Sequence, residues 1–190
     1  TIEVEYDEAA LDEKIQNPQA VRGEQTDPVP AHPEYDGTTF VVAKEQYGTT
    51  VDMDALTSKI KQSITEFAST LDMMDEGCYV MPKYTSDSPE VQAACDEMNT
   101  YLKASITYPM DENIVVDKDL ISEWVTYDDD MNVTLDEDAV RAWMREFGSK
   151  YDTVGTTRSL TTPTGKSAQV SGGTYGWSVA EDKETEKLIN

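Results

Sequence analysis

The apolar residues of this chain arrive in short packets, and successive packets follow different periods. Leu56, Ile60, Ile64, Phe67 and Leu71 recur at helical spacing, giving one apolar stripe over residues 53–71. Asp52 or Asp54 stands at its start as a cap. Val91, Ala94, Cys95, Met98 and Leu102 form a second stripe behind Ser88-Pro89, a cap followed by proline. Val140, Trp143, Met144, Phe147 and Tyr151 form a third behind Asp136, and Asp117 caps a shorter helix with Leu120, Ile121 and Trp124. Asp7 opens a short helix carrying Leu11 and Ile15 that ends before Asn17-Pro18.

Between these lie β-type runs: residues 1–6 by alternation, then 39–43, 78–81, 106–108, 114–116, 157–161 and 168–170. Residues 17–37 hold four prolines and two glycines without periodicity and read as a long irregular loop ending in a Tyr35-Asp36-Gly37 turn. The pattern predicts an α+β fold: a single mixed domain over residues 1–190, with four or five helices and six to nine short strands. Residues 162–165, Thr-Pro-Thr-Gly, are turn chemistry between the last two β-runs, so the chain closes with a C-terminal β-hairpin. A polar helix follows over about 178–190. No internal repeat is visible.

Composition excludes several function classes. The formal net charge is −23, with acids spread along the whole length, and this field repels nucleic acid and anionic lipid. No apolar run has the roughly 18–20 residues that span a bilayer, and no signal peptide is present. The chain opens inside a strand-like run, so any export signal or anchor would lie upstream. A hydrophobic content of 38% supports a core despite a mean hydropathy of −0.57.

Chemistry-bearing motifs are few. The one histidine, His32, lies in the proline-rich loop, so neither Cys78 nor Cys95 has a base to activate it. The two cysteines fit either a disulfide or buried free thiols. Asp128, Asp130 and Asn132 place oxygen ligands at alternate positions, as a calcium loop does. The pattern fails at Val133 and Ala139, where such a loop needs Gly and Glu. Paired carboxylates such as Asp72 and Asp75 arise by chance among 38 acidic residues. No phosphate-binding glycine loop, His/Cys metal cluster or nucleophile elbow occurs. No catalytic residue, metal site or cofactor is expected.

The aromatics divide into two groups. Trp124, Trp143, Phe147 and Phe67 fall on helical stripes and read as core. Tyr175 and Trp177 bracket Gly176 among glycines; in an extended segment their rings share a face, available for core packing or for stacking on a ligand. Arg158, inside the hairpin, either pairs with an acid or receives a ligand carboxylate. Tyr151, at the end of the helix entering this region, completes the set of ligand-binding candidates: Tyr175, Trp177, Arg158 and Tyr151.

The run from Tyr151-Asp152-Thr153 through the hairpin to Gly-Gly-Thr-Tyr-Gly-Trp, then Glu181-Asp182-Lys183-Glu184 with Leu188-Ile189, resembles a known family. So, in order, do Asn17-Pro18-Gln19-Ala20, Gly48 to Asp52, Tyr79 to Pro82, Asn99, residues 106–108, and Val116-Asp117 with Ile121 and Trp124. The family is the peptidoglycan-binding domain that precedes the catalytic domain of YkuD-type L,D-transpeptidases of Gram-positive bacteria. The resemblance implies a mixed fold on an extracellular, wall-associated protein. It implies a module that binds or positions peptidoglycan, or a muropeptide, for an L,D-transpeptidase domain in the same polypeptide. That domain's His and Ser-His-Gly-Cys motif are not in this sequence, so the resemblance implies a non-catalytic module. Cys78 and Cys95 inherit no role from it. The alternative is a structural spacer that supports the catalytic domain and touches no ligand.

Overall fold

A computed structural model describes residues 5–110, 112–171, 173–174 and 176–189. The strand expected over residues 1–6 lies largely outside these, and Glu5 and Tyr6 are irregular. The fold is α+β, and its contacts divide the chain into two compact units, Thr1–Asn99 and Thr100–Asn190.

In the first unit, the Asp7 carboxylate accepts from the Ala10 amide and opens α1 (Glu8–Ile15). A single helical turn, α2 (Gln19–Arg22), follows Pro18. β1 (His32–Tyr35) and β2 (Phe40–Ala43) form an antiparallel ribbon with His32 opposite Ala43 and Tyr35 opposite Phe40. Both α2 and β1 fall where proline content predicts only loop. Pro33 is tolerated in β1 because the ribbon has two strands, and an edge strand can spare an amide donor. At the turn, Asp36 accepts from the amides of Thr38 and Thr39.

α3 (Met53–Thr65) starts at Asp52, whose carboxylate accepts from the amides of Asp54 and Ala55. It stops short of the expected Leu71. Phe67 adopts a left-handed φ of 56°, which no helix continues through, and is 69% exposed. Phe67 is thus not core, although Leu71 still packs beside the buried cluster of Ile15, Val51, Leu56 and Cys78. Residues 78–81 make one isolated bridge, Val51 to Tyr79, in place of the expected strand. α4 (Pro89–Tyr101) buries Val91, Ala94, Cys95 and Met98, as its stripe predicts. Cys78 and Cys95 are free and buried.

Two devices tie distant parts of this unit together. The Asn99 side chain accepts from the Phe40 amide at 2.7 Å and donates to the Phe40 carbonyl at 2.8 Å. Gly48 runs so close to residues 26–28 that a Cβ there would fall 2.6 Å from backbone atoms of Asp27 and Pro28.

The second unit is a series of hairpins and helices: β3 (Ile106–Tyr108) with β4 (Ile114–Val116), then α5 (Lys118–Ser122), then β5 (Val125–Tyr127) with β6 (Val133–Leu135). α6 (Glu137–Tyr151), β7 (Arg158–Thr161) with β8 (Ser167–Val170), and α7 (Glu181–Ile189) complete it. Asp117 and Asp136 cap α5 and α6 as predicted. The β5–β6 hairpin occupies the calcium-like stretch. Asp128 accepts from the amides of Asp130 and Asn132 and from the Asn132 side chain, so its carboxylate shapes the turn. Among the described residues no group of three His, Cys, Asp or Glu is arranged to hold a metal, and no helix is long and apolar enough to cross a membrane.

A ladder of rings runs beside the buried Val116, Val140 and Met144 of this unit. Trp124 meets Trp143 edge-on at 5.6 Å, Trp143 stacks on Phe147 at 5.3 Å, and Phe147 meets Tyr108 and Tyr151, each at 4.9 Å. Trp124 and Phe147 are buried, and Trp143 is half-buried. Trp143, Phe147 and Tyr151 stand on one face of α6, set there by its 3.6-residue period.

Asn99→Ala removes both partners of the Phe40 backbone. The expected loss is about 1–3 kcal/mol of stability, read as a lower urea midpoint with an unchanged slope.

Candidate functional site

α6 delivers the chain to a pinned neck. Its last residue is Tyr151, and the Asp152 amide still donates to the Gly148 carbonyl. Asp152 then turns out of the helix, and its carboxylate accepts from the Val179 amide at 2.7 Å. The amides of Thr153 and Val154 both donate to the Trp177 carbonyl, at 2.9 and 3.2 Å. The Trp177 amide donates back to the Thr153 hydroxyl at 3.1 Å. Gly176 makes this closeness possible. Its φ is +134°, and a Cβ would sit 2.7 Å from the Thr153 carbonyl. These hydrogen bonds hold together two points of the chain 24 residues apart.

Beyond the neck the chain runs out and back as the β7–β8 hairpin. Its tip is the predicted turn: the Gly165 amide donates to the Thr162 carbonyl, and Gly165 has a φ of +79°. Every residue of β7 and β8 is exposed.

Two open clefts meet at the neck. One, of about 440 Å³, is lined by Thr153, Arg158, Thr174, Gly176 and Trp177. The other, of about 610 Å³, is lined by Pro109, Met110, Lys150, Tyr151, Asp152, Thr153 and Trp177. Trp177 borders both and is 45% exposed. Of the four residues named from sequence, Arg158 and Trp177 share the first cleft, and Tyr151 and Trp177 share the second. Tyr175 lies outside the described residues. Tyr151 is half-buried, with the Lys150 ammonium 5.1 Å from its ring centre.

The clefts offer an indole, a guanidinium, an ammonium, a carboxylate and several hydroxyls. Sequence reasoning did not find Thr153, Asp152 or Lys150. The Asp-Thr pair after a helix was visible, but its partner lies across an excursion that no local pattern links.

The same unit holds a groove of about 360 Å³ lined chiefly by apolar side chains, among them Tyr101, Ile106, Trp124, Leu135 and Leu188. Near it in sequence, Tyr108 has its phenol held above the ordinary value, first by burial and then by the Glu184 carboxylate. In the first unit, burial pushes both thiols up, with Glu76 adding to the effect at Cys78 and Asp96 at Cys95.

A pinned neck offering stacking and hydrogen-bonding groups has the chemistry of a binding module. Comparison with known proteins supplies the family. The one described as "Putative peptidoglycan binding domain" matches residues 1–71 and 84–190. The chain belongs to that family. Among solved structures it is similar to the Ldtfm–avibactam carbamoyl enzyme, with 29% identity over 52% of this chain and a TM-score of 0.41. It is also similar to a cysteine-to-serine mutant of Enterococcus faecium L,D-transpeptidase, with 31% identity over 53% of this chain and a TM-score of 0.39. The matched part spans 39% of each of those chains. No curated protein matches.

Gly176→Ala forces a side chain into left-handed backbone against Thr153. It is expected to cost about 1–2 kcal/mol from the backbone alone, and to speed amide hydrogen exchange at Thr153, Val154 and Trp177. The cysteines give a second check. A raised thiol stays protonated until pH passes its raised value, so thiolate appears only above the usual value of about 8.5. Iodoacetamide at pH 8 should leave Cys78 and Cys95 unmodified in the native chain and label both in urea.

Proposed function

We propose that residues 1–190 act as one non-catalytic, extracellular wall module that binds peptidoglycan and positions its strands for cross-linking by an L,D-transpeptidase domain of the same polypeptide. The observation that carries this reading is the double use of Trp177. Its backbone closes the neck, while the residue borders both clefts beside Arg158 and Tyr151. The pinned main chain fixes where the indole is presented, so less backbone ordering accompanies binding, which favours affinity. Family membership supplies the ligand class. Among the described residues the clefts supply no nucleophile paired with a base, which favours a binding role. The residues of about 178–190, largely α7, lead the chain onward from the site.

The spacer reading draws on one feature, the apolar groove near Trp124 and Leu188, whose lining suits packing better than a saccharide. Co-sedimentation with insoluble sacculi separates the two readings. The chain is expected to pellet with sacculi, and Trp177→Ala to reduce the pelleted fraction several-fold with the urea midpoint little changed. A chain that stays in the supernatant at all sacculus loadings would leave the spacer reading standing alone.

A further inference from the structure

The hairpin beyond the neck is built like an unfinished sheet. β7 and β8 pair with Arg158 opposite Val170, Ser159 opposite Gln169, Leu160 opposite Ala168, and Thr161 opposite Ser167. Opposed residues share a face, and neighbours along a strand alternate. One face thus carries Arg158, Leu160, Ala168 and Val170, and the other carries Ser159, Thr161, Ser167 and Gln169. The apolar face is uncovered, with Leu160 57% and Val170 52% exposed. Among the described residues this sheet has two strands, so each keeps an outer edge of main-chain donors and acceptors. A two-stranded ribbon is marginal in water, and a third strand completes it.

Charge says what kind of strand fits. Between Asp152 and Glu181 there is no acidic residue, in a chain that has 38, while Arg158 and Lys166 both lie in that stretch. An anionic group approaching elsewhere meets a dense field of carboxylates; here it meets none within the segment. Arg158 opens β7 and also lines the cleft with Trp177, so a guanidinium sits where the strand edge meets the neck.

We infer that the hairpin accepts, along the outer edge of β7, an extended peptide ending in a free carboxylate, with the carboxylate received by Arg158 and an apolar side chain laid across Leu160. Main-chain pairing supplies the affinity of such a strand addition, and side-chain pockets its selectivity. The planar guanidinium suits a terminal carboxylate through two parallel hydrogen bonds. The inference rests on the wall-binding reading and narrows its ligand to the peptide stem of peptidoglycan. Glycan hydroxyls are well served by carboxylate acceptors; residues 153–180 have none, and Asp152 at their edge already accepts from the Val179 amide.

The test is an amide NMR titration of the whole chain with three probes. These are a synthetic stem pentapeptide ending in D-Ala-D-Ala, the same peptide with its C-terminus amidated, and a hexamer of N-acetylglucosamine. The pentapeptide is expected to shift amides across 156–171 and to slow hydrogen exchange in β7. Amidation, or Arg158→Gln, is expected to weaken binding about tenfold, the scale of one charge-assisted hydrogen bond. Arg158→Lys should fall between, and Lys166→Gln, an equal loss of charge at the far end of the hairpin, should stay within about twofold of the parent. Equal losses from Arg158→Gln and Lys166→Gln would overturn the inference, because they would show charge attraction without a carboxylate seat. Shifts with the hexamer and none with the pentapeptide would overturn it and leave the wall-binding reading intact. The same follows if both probes are silent while sacculi still capture the chain. Silence of both probes and of sacculi would end both readings.

Discussion

The backbone of this protein depends on side-chain hydrogen bonds for what wide sheets supply elsewhere. Its four sheets have two strands each among the described residues, so much of the main chain lies in loops and ribbon edges. Backbone amides there need partners, and aspartate is a recurrent one. Asp7, Asp36, Asp52, Asp72, Asp117, Asp128, Asp136 and Asp152 each accept from at least one backbone amide. Part of the −23 charge therefore reflects the way the fold is capped. This changes how the acidity should be read: these carboxylates are already engaged with their own chain, and they say little about a ligand.

The same logic separates what was legible in the sequence from what was not. Caps at Asp52, Asp117 and Asp136, the stripes of α4 and α6, and the terminal hairpin all rest on near neighbours, and each could be read. Phe67 could not. Its place on the α3 stripe is sound by spacing, but the helix ends at Thr65 and the ring turns to solvent. Nor could β1, because proline composition hides a ribbon edge that needs fewer donors. The long-range clamps were also invisible. Asn99 grips Phe40 across 59 residues, and the Gln25 side-chain carbonyl accepts from the Val51 amide across 26. A polar side chain, whether on a helix as Asn99 or in a loop as Gln25, carries no local sign of such a distant partner.

The candidate site shows the same division. Arg158 and Trp177 were nominated for residue type and local setting, and the structure puts both on one cleft. The neck that brings them together was hidden, because Thr153 and Trp177 belong to no strand and pair over a span of 24 residues. Trp177 also departs from a simple choice between core and ligand contact. Its main chain closes the neck while nearly half of the residue's surface stays open, so it is neither simply core nor simply surface.

Placement of the neck follows from α6. The ladder from Trp124 through Trp143 and Phe147 to Tyr151 fixes one face of that helix along its C-terminal half. The helix then ends directly at Asp152 and Thr153, so the pinned residues stand on a packed element with no linker between. A recognition surface needs such support, since a loosely held cleft loses affinity to the cost of ordering it. The hairpin is the opposite case: it is fully exposed and anchored at its base. Under the proposed binding role, the pinned neck sets where the site lies, and the exposed edges of β7 and β8 offer main-chain groups to an extended chain.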